Sequence, residues 1–369
     1  MSWTTPTLRT LRQNARAYIM ASLSGADALI PNSVLRVMAD VNAGLSHLVL
    51  QFVEWIANQM LPITAVTEWL DRWATLYLIN ADGSRGRKQA TFSAGSISIN
   101  VIAAGGATIA SGTIFAGPSV QYQTTADASS AGPGAAISPV IALTAGAIGN
   151  LDAGSALTSF TPIAGTAGAT VISLTGGTDT ETDDQLRARL LLRLANPPMG
   201  GDAIDYEQWT LSVPGVTRAW ASPQEMGPGT MTVRFMCDDL RSSSGGFPLP
   251  EDVTAVFNYL ETVRPVTVKD LFVVAPIPYP ISFIISNLDS DDETTWNNII
   301  ASVQSMLFEK AKPGWVNEGI AQPAQTIYAA WVSGAILDAA GVNSFDLICS
   351  DFVMPNSGSM ATLGSVIHG

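Results

Sequence analysis

The chain has 369 residues, of which 47% are hydrophobic and only 13% charged, and it carries a formal net charge of −13. A nucleic-acid surface must neutralise phosphates with lysine and arginine, so four lysines in so acidic a chain argue against that class of function. The length has room for two or three domains with cores of their own. No apolar run reaches a membrane span, and Met1 to Thr10 lacks the apolar core of an export signal. Cys237 and Cys349 match no metal or redox spacing and read as reduced core residues, which fits folding in a reducing cytoplasm. So low a charged fraction suits surfaces covered by other subunits, since charge is depleted at interface cores. An ordinary acidic soluble protein has the same composition.

The expected fold class is α+β and multidomain, in four parts: a helical segment at 1–80, a small β domain at 81–178, and mixed α/β domains at 179–275 and 276–369. In the first part, Leu8, Leu11, Ala15 and Tyr18 form a helical stripe that ends at Ser24-Gly25. A longer helix follows Pro31, capped by Asn32 or Ser33 and ended by Pro62. Its residues Val34, Met38, Val41, Leu45, Leu48, Phe52 and Trp55 recur at alternating spacings of four and three, the seam of a coiled coil or bundle. Leu35, Val49, Val53 and Ile56 make a second apolar face. Both faces could pack within a three-helix bundle, or one could take a helix from another chain. A third helix is expected from about Thr64 to Ile79.

From Gln89 to Thr178 the only charges are Asp127 and Asp152, and short alternating runs such as Ser96 to Val101 are separated by glycines. Ile109 to Phe115 echoes Leu151 to Leu157, each an apolar residue, a glycine turn and a return strand. Two copies are too few for a solenoid, so the expectation is a compact β domain with paired hairpins.

Thr175 to Gly201 joins an acidic turn, a basic helix and a Pro-Pro breaker. Asp179, Glu181, Asp183 and Asp184 complement a helix dipole, Leu186, Leu190 and Leu194 share one face with Arg187, Arg189 and Arg193 mostly off it, and Asn196 stops the helix before proline. A calcium loop starting at Asp179 would need glycine and glutamate where Asp184 and Leu190 stand. Beyond it, helices are expected at 202–213, from Pro250, at 294–310 and at 322–340. Strands are expected at 216–221, 230–236, 266–274, 281–286, 342–348 and 361–367.

The chain has no Gly-Lys pair of a P-loop, and no GxGxxG, GxSxG or HExxH. His47 lies within the helical seam and His368 next to the last residue, so neither reads as a catalytic base or a zinc ligand. Trp209, Trp220, Trp296, Trp315 and Trp331 could line a sugar site, but in these registers tryptophan is more often core or interface. No catalytic, cofactor-binding or metal-binding residue is assigned.

Thr175 to Gly201 is followed by Asp205-Tyr206-Glu207-Gln208-Trp209 and by Val213 to Trp220. Together with Thr144 to Leu151 and Arg264-Pro265-Val266-Thr267, it resembles the baseplate J-like proteins of Mu-like and other contractile-tailed phages. The likeness runs from about Leu8 onward and is densest between Ala145 and Arg218. It implies a non-enzymatic structural protein of the baseplate wedge, in a virion assembled in the host cytoplasm, that rearranges when the tail contracts. It also implies as partners a second copy, a smaller I-like wedge protein, the sheath-initiator or lysozyme-like protein and the central hub, with no nucleic acid, membrane or cofactor. The helical seam then becomes an intermolecular one. A tail-associated polysaccharide-active enzyme or a receptor-binding fibre would need many repeats or a long shaft, which this chain lacks.

Overall fold

The computed structural model describes residues 4–314, 316–317, 320–321 and 324–369. The chain is an α+β multidomain protein that divides into two units, Met1–Leu76 and Tyr77–Gly369.

The first unit is helical, with α1 (Leu8–Ser22), α2 (Val34–Gln59) and most of α3 (Thr67–Tyr77). Asn32 takes a left-handed φ of 60°, which asparagine tolerates, and this leaves Ser33 to cap α2 by accepting from the Arg36 N–H at 3.3 Å. The Arg16 guanidinium holds both Asp40 oxygens at 2.7 and 2.8 Å, pinning α1 antiparallel against α2. Where the two helices meet, α2 offers Ala39 and Ala43, both buried, and α1 contributes no buried residue. α3 starts three residues later than the sequence pattern, because the Thr64 and Ala65 N–H groups turn back onto the Leu61 carbonyl.

In the second unit the glycine-rich region forms a closed six-stranded barrel, a fuller closure than paired hairpins. Its strands are β1 (Ala94–Val101), β3 (Ile114–Ala116), β4 (Gln121–Thr124), β6 (Gly134–Ala142), β7 (Ala156–Ser159) and β8 (Thr166–Thr175), in the order β1-β6-β4-β3-β7-β8. A side ribbon pairs β2 (Ala107–Ile109) with β5 (Ala128–Ser130). Ile97, Ile99, Phe115, Tyr122, Leu157 and Leu174 are among the residues filling the interior, and the Tyr122 hydroxyl donates to the Gly149 carbonyl at 2.8 Å.

The two echoed segments fold alike. Thr113 N–H bonds Ala110 O and Ser155 N–H bonds Asp152 O, which closes a four-residue turn in each. Gly112 and Gly154 hold the third position with φ of 88° and 89°, where a side chain would be strained. Each glycine N–H then bonds the neighbouring strand at 2.8 Å, to Thr124 O and Val171 O respectively.

The chain continues with α4 (Asp183–Ala195), α5 (Ala203–Leu211), β9 (Arg218–Pro223), β10 (Thr230–Met236), α6 (Pro250–Val263) and β11 (Asp270–Val274). The sheet order is β11-β10-β9, with β11 parallel and β9 antiparallel to β10. Every residue of β10 is buried, and Tyr206, Val233, Phe235, Val256 and Leu260 build the core beneath it. β11 starts four residues later than expected, because Val268 N–H turns onto Pro265 O and leaves Val266 fully exposed.

The last region contains β12 (Ile277–Ser286), α7 (Glu293–Lys310), β13 (Val316–Asn317), β14 (Ile320–Ala321), β15 (Thr326–Ile327), α8 (Ala329–Leu337), β16 (Asp346–Ile348), β17 (Phe352–Val353) and β18 (Ser359–His368). β12 is the centre of a sheet ordered β16-β12-β18, and it packs with α7 and α8 around Phe283, Trp296, Ile299, Val303 and Ile336. The helix expected from Gln322 starts only at Ala329, since Thr326 and Ile327 pair with β17 instead; Gln322 itself lies outside the described residues.

Barrel closure depends on Gly95, where a side chain would strike the Ser173 carbonyl of the neighbouring β8. Gly95→Ala should therefore force β1 and β8 apart at a cost on the order of 3 kcal/mol. Chemical denaturation followed by near-ultraviolet circular dichroism tests this, with Gly154→Ala, which meets no atom, as a comparison limited to backbone strain.

Candidate partner surface and signature joint

α2 is 26 residues long, about 39 Å at 1.5 Å per residue. The seven seam residues all lie in solvent, from 43% exposed at Trp55 to 73% at Val34. Phe52 and Trp55 stack with ring centroids 5.9 Å apart. On the second face, Val49 and Val53 are also more than half exposed. Val41 to Val53 contains no Asp, Glu, Lys or Arg, so nothing charged interrupts the strip. Exposed apolar patches of this extent mark interaction surfaces in soluble proteins. The α1 contact uses the small Ala39 and Ala43 face and leaves the larger side chains uncovered.

The motifs that carry the resemblance converge on one joint in the second unit. Asn150 holds Gly177 through both its carbonyl and its N–H, at 2.8 and 2.9 Å. Any side chain at Gly177 would meet the Gly146 carbonyl at 2.5 Å. Asp179 accepts from Ala147 N–H at 2.9 Å, so GGTD and the Thr144 to Leu151 segment lock together. Farther on, Asp205 Oδ2 accepts from the Met199 and Gly201 N–H groups, and Gly201 lies hard against the Pro265 ring. Gly215, at φ 82°, lies against Leu240 and Thr178. Backbone approach at these points leaves no room for a Cβ, which accounts for the glycines.

A buried ion pair organises this joint. Arg189 and Glu181 side chains are 6% and 3% exposed, and the guanidinium makes 2.8 and 2.7 Å bonds to the two carboxylate oxygens. Its remaining donors reach Asn80 Oδ1 and Gly86 O, both at 2.9 Å. Glu181 also accepts from Lys88 N–H at 3.0 Å. The Lys88 ammonium donates to the Leu211, Val213 and Val216 carbonyls, and withdrawal from water lowers its pKa to about 8, partly offset by Glu181.

Two sequence-level assignments change here. Glu181 precedes α4 as a buried partner of Arg189 and is not an exposed first-turn acid; Arg189 lies inside the fold instead of off the apolar face. The first turn holds Asp183 and Asp184, after a capping box formed by Thr182 and Gln185. Asp183 pairs with Arg87 at 2.6 Å, while the Asp184 side chain is 96% exposed. Only an eight-residue spacing linked Glu181 to Arg189, and no helical periodicity marks such a pair.

The residues considered for chemistry do not assemble into a site. Trp209 packs in the central core, Trp220, Trp296 and Trp331 pack on the last core, and Trp315 lies outside the described residues. His368 stacks on Trp296, and His47 stays on α2. Burial raises the Cys237 thiol to about 12. Among the described residues no group of three or more His, Cys, Asp or Glu could hold a metal, and no helix is long and apolar enough to cross a membrane.

Residues 96–177 match the baseplate J-like protein barrel domain and residues 198–275 the baseplate J-like central domain. The chain belongs to the baseplate J-like family and is a structural component of a phage tail baseplate. It is 34% identical over 264 residues to Mu-like prophage FluMu protein gp47 of Haemophilus influenzae, covering 71% of this chain and 70% of that one. It is 32% identical over 263 residues to the baseplate protein gp47 of Escherichia phage Mu, covering 70% of each. The solved anti-feeding prophage baseplate, six-fold symmetrised, aligns over 99% of this chain and 100% of that one at TM-score 0.45 and 10% identity, a likeness too slight to bear on function.

Removing Arg189 strands a buried carboxylate, whereas Asp184 is solvated. Arg189→Met should therefore cost about 3–5 kcal/mol, and Asp184→Asn should stay within about 1 kcal/mol. Urea unfolding monitored by tryptophan fluorescence separates the two. Lys88 adds a pH signature. Its folded pKa of about 8 lies below the ordinary 10.5, so between these values the unfolded chain binds more protons and stability rises with pH. Relative to Lys88→Met, the wild type should gain stability from pH 8 to 10.5, by up to about 1.4 kcal/mol per unit. A flat difference would contradict a charged, desolvated Lys88.

Proposed function

We propose that the chain is a wedge subunit whose α2 seam joins helices from a second copy and from a smaller I-like wedge protein in a shared bundle. The single observation that carries this reading is the uncovered seam, Val34, Met38, Val41, Leu45, Leu48, Phe52 and Trp55, on a helix whose contact with α1 uses only small residues. The named gp47 relative from phage Mu is a baseplate protein, which supports the same setting. The sheath-initiator or lysozyme-like protein and the central hub are the further neighbours in this proposal, and the subunit is assembled in the host cytoplasm and rearranges on contraction. It is proposed to act by contact alone, without catalysis. The division at 1–80, 81–178, 179–275 and 276–369 is likewise proposed as one anchoring segment followed by three folded domains.

Leu45 and Leu48 are 58% and 63% exposed, so aspartate at both should leave the fold intact while putting charge where a partner must desolvate it. Leu45→Asp/Leu48→Asp should melt within a few degrees of wild type yet fail to co-purify with the smaller wedge protein on co-expression. Loss of folding in the variant would place the seam in the chain's own core. Unaltered co-purification would remove the seam from the interface.

A further inference from the structure

Two cavities of similar size open in the second unit, and they differ in charge. The one around Lys88, of about 280 Å³, is lined by Asp179, Glu181 and Asp239 among others, as suits a chain with 31 acidic residues. The other, of about 300 Å³, lies where the end of α4 meets α5 and α6, and no Asp or Glu is among the described residues that line it. Its walls include Ile79, Pro198, Trp209, Tyr259 and Val263, and every lining residue belongs to the second unit.

Two guanidinium groups line this cavity. The charge of Arg189 is already met by Glu181 at 2.7 Å. Arg193, in the last turn of α4, has no such partner: among the described residues its one hydrogen bond is a long 3.4 Å contact with the neutral Gln208 Oε1. Trp209 and Tyr259 add an indole N–H and a hydroxyl that no described residue accepts from or donates to, and neither atom is sealed from accessible space. The Trp209 ring is fixed edge-to-face on Tyr206 at 5.0 Å between centroids. Arg, Trp and Tyr are the residues on which binding energy concentrates at interfaces. A guanidinium with open donors takes a carboxylate through two parallel bonds, and the apolar walls around it exclude the water that would compete.

We propose that this cavity is a docking site for a segment of a partner protein in which an apolar side chain stands next to a carboxylate. The side chain enters beside Trp209 and Val263, and the carboxylate pairs with Arg193. The surface next to the cavity favours a protein segment over a small free acid. Leu194 and Met199, each adjacent in sequence to a lining residue, are 40% and 78% exposed, and a ligand of cavity size would leave them uncovered. Met199 is not on a loose loop: its N–H and that of Gly201 both bond Asp205 Oδ2, at 3.0 and 2.7 Å, and two prolines precede it. An apolar side chain held in solvent on a fixed backbone is ordered before its partner arrives, and methionine adapts to the surface it meets. This site makes no use of the α2 seam, and each stands or falls without the other.

The test is calorimetric titration of the full chain with two peptides, acetyl-GSGFEGS-amide and acetyl-GSGFQGS-amide, which differ only in the carboxylate. The glutamate peptide should bind about tenfold more tightly, the worth of one charge-assisted hydrogen-bonded contact. Arg193→Gln should bring the two peptides to equal affinity while leaving the melting temperature within a few degrees of wild type. Should that variant fail to fold, Arg193→Lys, which keeps the charge and loses the planar fork, should reduce the preference. Met199→Ser should weaken the glutamate peptide severalfold and leave binding of N-acetylphenylalanine unchanged. Equal affinity of the two peptides for the wild type, or no binding of either at millimolar concentration, would overturn the proposal. So would a preference that survives both substitutions of Arg193. N-acetylphenylalanine binding as tightly as the glutamate peptide would reduce the site to a pocket for small acids and overturn the assignment of a protein segment.

Discussion

The Arg189–Glu181 ion pair is the constraint on which the second unit depends. A guanidinium taken out of water is costly unless its donors are met, and here they are met by the segment before the barrel, through Asn80 and Gly86, and by the segment after it, through Glu181. One side chain therefore fixes where the barrel begins, where it ends and how α4 starts. The glycines at 177, 201 and 215 are permissive features around that centre: they let backbones approach until the buried polar groups find partners. Lys88 extends the same logic by filling the carbonyl-rich end of α5 with an ammonium.

Two ion pairs of the region before β12 reach across to the last α/β region through hydrogen bonds. Arg218 grips Asp238, donates to the Phe308 carbonyl at 3.0 Å and lies 4.3 Å over the Phe308 ring, which ties β9 to the end of α7. Arg234, on the buried β10, holds Glu225, and Glu225 accepts from Ser357 near the start of β18. Arg189, Arg218 and Arg234 are thus spent inside the fold, while Arg9, Arg12, Arg72, Arg85, Lys269 and Lys310 stay at the surface.

Local chemistry was readable where it was periodic or punctuated. The caps at Ser33 and Asp202, the proline opening α6 and the stop before Pro197 all follow from residue type. The α2 seam was visible as a spacing, and its exposure then followed from the small residues at 39 and 43, whose meaning the spacing alone did not give. Barrel closure was not readable, since it rests on pairing β1 with β8, from Ala94 with Thr175 to Val101 with Thr166, across the whole intervening chain. The role of Glu181 was missed because its partner lies two helical turns on, with the turn residues between them masking the match. β11 and α8 began late for the same reason as each other: a turn or a strand pairing claimed the residues that propensity alone assigned to the element.

The ends of the barrel lie side by side. Ala94 pairs with Thr175, and below them Thr91 N–H bonds Thr178 O while Glu181 N–H bonds Lys88 O. The chain thus enters and leaves the barrel through a two-stranded stalk, which makes the barrel an inserted module instead of a link in series. Tension applied between the residues that precede the stalk and those that follow it crosses at the stalk's base, through Arg189 and Glu181, without passing around the barrel wall. The barrel can be displaced as a passenger while the pull travels beside it, and its hydrogen-bonded ring stays closed.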